Sequence, residues 1–158
     1  MNSVTVHTDL LAFIIIFPLI GSLVTFSVSC FSDENKSLFN IAPWIAFICS
    51  SFSFVFSVLS FKKLNIAHDF ELKQHLWHWF SVGEVDVNMS LMLDKLSSVM
   101  ILVITGVGTL IHLYSTGYMA HDKSKPRFFS YLNLFLVAML LLVLGDNLLV
   151  LFLSLIHI

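Results

Sequence analysis

Moving protons or ions through lipid requires ionisable groups at membrane depth, and this chain offers few of them. His112 lies inside a long apolar segment, Asp94 at the entrance of that segment, Asp146 at a turn after another, and His157 in a short terminal stretch. His112 changes charge near physiological pH, so it is a candidate proton relay. The plainer reading is a packing histidine bonded to a backbone carbonyl or water, because it lies toward one end of its segment. Asp94 is a candidate for a charge network at a helix end, or more simply a carboxylate facing the positive end of a helix dipole. Asp146-Asn147 reads as a tight turn whose Asp caps the next helix.

Other chemistry finds little support. His68, His75 and His78 are spaced by seven and three in a polar loop without a cysteine partner, which argues against a metal site. Cys30 and Cys49 lack Cys-x-x-Cys spacing and read as small apolar fillers. There is no Gly-rich phosphate loop, no nucleophile–base pair and no heme-attachment motif. Redox cofactors are therefore expected elsewhere than on this chain. The net charge is -2 and no basic run occurs, which excludes a nucleic-acid-binding surface.

The elements that must position these residues are apolar and long. Of 158 residues, 58% are hydrophobic and only 11% charged, against about 25% charged in soluble domains. A soluble domain this small has too much exterior to bury so much apolar surface, so the expected fold class is an all-α integral membrane protein. Residues 10–31 carry no charge and reach about 33 Å as a helix, enough to cross a bilayer. Met1 to Asp9 lacks Lys and Arg, so this run reads as a retained span rather than a signal peptide. Pro18 should kink it, and Gly21, Thr25 and Ser29 form a small-residue stripe suited to close helix contact. Three further spans are expected at about 39–61, 96–118 and 128–144. Pro43 is placed in the first turn of the second. There, Ala42, Ala46 and Ser50 repeat the small stripe, and Ser50, Ser51, Ser53, Ser57 and Ser60 add groups able to bond back to backbone carbonyls or across to a neighbouring helix. Gly106 and Gly108 predict close packing of the third span.

Between the second and third spans the pattern changes. Glu84 to Leu91 alternates polar and apolar strictly, the period of a strand with one buried face. Trp77 to Val82 alternates loosely, and Gly83 offers a turn. These features predict a small β-hairpin over about 76–91 at the membrane surface, with Trp77 and Trp79 in the interfacial belt. After Asp146, residues 148–158 are too few for a complete fifth span. A terminal carboxylate near the bilayer midplane is costly, so a partial fifth helix and a truncated chain are expected. Lys36, Lys123, Lys125 and Arg127 fall on one side and Lys62, Lys63, Lys73 and Lys95 on the other. This even division leaves the compact basic loop at 121–127 to suggest the cytoplasmic side, with the N-terminus outside.

Several blocks resemble one family: Phe17-Pro18-Leu19-Ile20-Gly21, Trp77 to Gly83, Leu93-Asp94-Lys95-Leu96-Ser97, and above all residues 105–119, 127–135 and 145–153. In order and spacing they are similar to the N-terminal part of NADH-quinone oxidoreductase subunit L, the antiporter-like membrane subunit of respiratory complex I. The resemblance implies a multi-pass subunit of a bacterial inner membrane that carries protons while NADH oxidation and quinone reduction proceed elsewhere. It implies other complex I membrane subunits as partners, with NADH, FMN, iron–sulfur clusters and quinone held by other subunits. Asp94, His112 and Asp146 match motif positions only. The family pattern continues beyond Leu153 with a glutamate proposed as a proton-path residue, and Ile156 stands at that place here. The alternatives are the large subunit of a multi-subunit sodium/proton antiporter, which shares ancestry, and an inert structural membrane remnant. The chain alone is expected to be inactive.

Overall fold

The structure is a computed structural model, and it describes residues 6–7, 10–30, 36–66, 72–82, 85–119, 122, 124–146, 152 and 155–156. Four helices dominate: α1 (Leu10–Cys30), α2 (Lys36–Ile66), α3 (Lys95–Tyr118) and α4 (Lys125–Leu144). Each is long and apolar enough to cross a membrane, as the expected fold class requires. They pack in a ring, α1 on α2, α2 on α3, α3 on α4 and α4 on α1, with α2 and α4 also meeting across the bundle.

The seams follow from small side chains. Along α2, Ala42, Ala46, Ser50, Ser53, Ser57 and Ser60 are buried at steps of four or three, so one narrow stripe faces the neighbours. On α1 the buried face is Leu11, Ile14, Ile15, Pro18, Gly21, Ser22 and Thr25. Gly21 is required by close approach: a Cβ there would meet Cys49 Cβ at 2.9 Å and Asn133 Nδ2 at 3.1 Å.

Polar atoms on these seams close on one another. Pro18 has no N–H, which leaves the Ile14 carbonyl without its helical donor. The Ser53 hydroxyl of α2 supplies the missing bond at 2.6 Å. Ser22 and Ser130 each donate to the other's carbonyl at 3.0 Å, clasping α1 to α4. Thr109 donates to the Ser50 carbonyl at 3.3 Å, linking α3 to α2.

The spans differ in detail from the sequence expectation. α2 starts at Lys36 rather than 39 and runs to Ile66, about 46 Å of helix against a hydrocarbon core of ~30 Å. Pro43 therefore lies inside α2, not in its first turn. α4 starts about a turn early because Pro126 suits a helix N-terminus. The expected fifth helix falls mostly outside the described residues, of which Phe152, Leu155 and Ile156 are helical.

Among the described residues there are also three strands: β1 (Val6–His7), β2 (Leu72–Val82) and β3 (Val85–Leu93). β1 pairs parallel with β2, and β2 pairs antiparallel with β3 from Leu72↔Leu93 to Val82↔Val85. This ribbon is longer than the 76–91 segment expected. Register shifts between His75 and Trp77 and between His78 and Phe80 account for the loose alternation there, since each bulge slips the side-chain period by one. The turn at Gly83 and the side chains of Trp77 and Trp79 lie outside the described residues. Leu91 and Leu93 are fully buried and join Leu11, Leu64, Ile101 and Leu144 in one apolar cluster, so β3 closes one end of the bundle. Gln74 of β2 accepts the Ala12 N–H at 2.8 Å, satisfying an orphan donor in the first turn of α1.

Candidate proton-relay site

The three acidic and histidine candidates separate into two places. Asp94 and Asp146 lie at the ribbon end of the bundle. His112 lies eighteen residues along α3 from Asp94, about 27 Å of helical rise away.

Asp94 is the N-cap of α3. Its carboxylate accepts the Ser97 N–H at 2.7 Å, and its carbonyl accepts from Ser98 N at 2.9 Å. The Ser97 hydroxyl is the main cause holding this carboxyl below its ordinary pKa. Partial burial opposes the shift, and the Ser97 N–H adds to it. Asp146 binds back to the ribbon: its N–H donates to the Ser90 carbonyl at 3.3 Å, and its carboxylate accepts from the Ser90 hydroxyl at 3.0 Å. With the Leu91↔Gly145 bridge, it anchors the end of α4 on β3. The residues it was expected to cap, 147–150, lie outside those described.

His112 has a different setting. It is 1% exposed, on a helix that otherwise presents large apolar side chains outward. The 3.6-residue period turns Ser98, Ile101, Thr105, His112 and Ser115 to the bundle interior. Its Nδ1 lies 2.7 Å from the Gly108 carbonyl, and the Phe129 ring lies 6.2 Å away between centroids. Its Nε2 is buried with no hydrogen-bond partner among the described residues.

Asn133 of α4 is the residue that sequence reasoning missed. It is completely buried, it lies one helical turn from Phe129 on the face of α4 that meets the imidazole, and both polar atoms of its amide lack a hydrogen-bond partner among the described residues. Its Nδ2 also rests against Gly21, so it sits where α1, α3 and α4 converge. A search confined to ionisable groups passes over it. The available signal was an amide inside the charge-free run 128–144. A cavity of about 270 Å³ between α3 and α4, lined by apolar side chains such as Val107, Leu132 and Leu136, reaches His112 from the outer face. Among the described residues, no three His, Cys, Asp or Glu side chains come together as a metal would require.

Comparison with known proteins gives a consistent result. Residues 79–129 match the family model described as NADH-ubiquinone oxidoreductase (complex I), chain 5 N-terminus. NADH-quinone oxidoreductase subunit L of Buchnera aphidicola is 39% identical over 146 residues, covering 92% of this chain and 23% of that protein. The Escherichia coli subunit L is 38% identical over 149 residues, with the same two shares. NADH-ubiquinone oxidoreductase chain 5 of Phytophthora infestans is 33% identical over 138 residues, covering 87% of this chain and 20% of its own length. The chain thus spans about a quarter of the length of the curated relatives it matches. On these matches, nearly all of the chain is similar to part of the NADH-quinone oxidoreductase subunit L and chain 5 proteins, and its four apolar helices are those of a multi-pass membrane protein.

Proposed function

We propose that this chain forms part of the proton-translocating membrane subunit of an NADH-quinone oxidoreductase. The observation that carries the reading is the similarity to subunit L proteins across 92% of the chain. In this role the four helices sit in a bacterial inner membrane with the N-terminus outside and the basic 121–127 loop in the cytoplasm. Other membrane subunits of the complex pack against the bundle. NADH, FMN, iron–sulfur clusters and quinone are held by other subunits, and redox energy reaches this one as a change in proton affinity or access.

Within this chain, His112 is the candidate proton carrier, because it is buried at membrane depth and one ring nitrogen is uncommitted. Asp94 caps the start of α3, Asp146 holds the end of α4 against the ribbon, and both are candidates for a charge network at that end. Taken alone, the chain lacks ionisable groups spaced across the membrane, so the purified chain in liposomes should carry no protons. The test is affinity purification of the tagged chain from its native membranes. Recovery with NADH:quinone oxidoreductase activity supports the reading. Recovery with sodium/proton antiporter subunits and no NADH oxidation overturns it.

A further inference from the structure

Among the described residues, His112 and Asn133 are both buried where α3 meets α4, and Nε2 of the ring and both polar atoms of the amide have no partner. The Gly108 carbonyl can only accept, so the 2.7 Å contact makes Nδ1 the donor and places the proton there. In the neutral imidazole Nε2 is then an acceptor, and it has no partner on its own helix. In the imidazolium Nε2 becomes a donor. A fixed donor or a fixed acceptor opposite it would suit only one of these states.

An amide suits both. The Asn133 NH₂ donates to the neutral ring, and after a half-turn about its terminal torsion its carbonyl accepts from the charged one. The half-turn breaks no other hydrogen bond, because both Nδ2 and Oδ1 are unpartnered and fully buried. The adjoining cavity is lined by apolar side chains, which do not hold a competing water. The described charged side chains of these helices lie at or near the helix ends. Arg127 on α4 is exposed and turned to Ser29, and Lys125 lies at the end of that helix. Tyr131, Tyr114 and Tyr118 are exposed, Cys49 on α2 lies next to Gly21, and Lys62 and Lys63 lie at the far end of α2.

We propose that Asn133 is a positioning residue for His112, an amide that turns over to hydrogen-bond Nε2 in either protonation state of the ring. This rests on the reading of His112 as a proton carrier only for its use, not for its geometry. The pairing holds the imidazole in one orientation while its proton comes and goes at Nε2 alone, with Nδ1 never releasing Gly108.

The test is solid-state ¹⁵N NMR of the intact subunit in lipid, with labelled histidine and His112 assigned by its loss in His112→Gln. The expected spectrum shows a protonated Nδ1 and a hydrogen-bonded, pyridine-like Nε2 coupled to the Asn133 amide. In Asn133→Leu the Nε2 signal moves toward that of a free pyridine-like nitrogen. In Asn133→Gln, which keeps the amide, it stays near its original position. A wild-type ring protonated at Nε2, or an Nε2 signal unmoved in Asn133→Leu, overturns the proposal. If the NMR pattern holds but NADH-driven proton transport is normal in His112→Gln, the pairing stands and the proton-carrier reading fails.

Discussion

Replacing Ser53 by Ala tests whether the bundle repairs the helix break at Pro18 across the α1–α2 seam. The Ser53 hydroxyl is fully buried and donates to the Ile14 carbonyl at 2.6 Å, the group that Pro18 leaves without a helical donor. Hydrogen bonds between membrane helices average about 0.6 kcal/mol with a maximum near ~1.7, whereas an orphaned buried carbonyl costs about 1–3 kcal/mol. The short bond and complete burial put Ser53→Ala where the top of the first range meets the middle of the second, about 1.5–2 kcal/mol. In a Pro18→Ala background the residue 18 N–H returns to Ile14, and the cost of Ser53→Ala should fall to about 0.5 kcal/mol, a coupling of about 1–1.5 kcal/mol. The assay is reversible unfolding of the four variants of this thermodynamic cycle in mixed micelles or bicelles. Equal cost of Ser53→Ala in both backgrounds would refute the reasoning, because the bond would then owe nothing to the proline.

Gly21→Ala should destabilise by about 1–3 kcal/mol through overpacking against Cys49 and Asn133, and Cys49→Gly should restore most of the loss in the same unfolding assay. Gly117→Ala is the matched control: nothing lies within 4 Å of the added methyl, so stability should hold or rise slightly. Asp94→Ala removes the N-cap of α3 and should cost about 1 kcal/mol. Because the folded carboxyl titrates below its ordinary value, its contribution is complete above about pH 4 and is lost only as pH falls through the lower folded value. Melts of wild type and Asp94→Ala should therefore differ by a constant amount from pH 5 to 8 and converge under acid.

Much of this architecture can be read from residues alone, because a run such as 10–31 has no way to be soluble. The small stripes on α1 and α2 were legible for a similar reason: Gly21, Ala42, Ala46 and Ser50 have little to offer except close approach. Element ends were less legible. Lys36 and Ser37 look like loop yet open α2, and Pro126 looks like a break yet starts α4. Tertiary packing decided those turns, since a helix already held along its length extends at little cost. β2 was blurred by its two bulges. What sequence could not supply was pairing across helices. Nothing near Ser53 points to Ile14, and nothing near His112 points to Asn133, because these partners are set by how the bundle closes. Asp94 was legible as a cap from its place before an apolar run, and Asp146 was visible as a turn without its partner Ser90.

The most direct test of the account is the number of protons moved per NADH oxidised, measured in inverted membrane vesicles from cells in which the gene has been deleted and then restored. The account predicts that deletion lowers the ratio and that restoration returns it, with His112→Gln reproducing part of the loss. A ratio unchanged by deletion would contradict a place for this chain in NADH-driven proton transport.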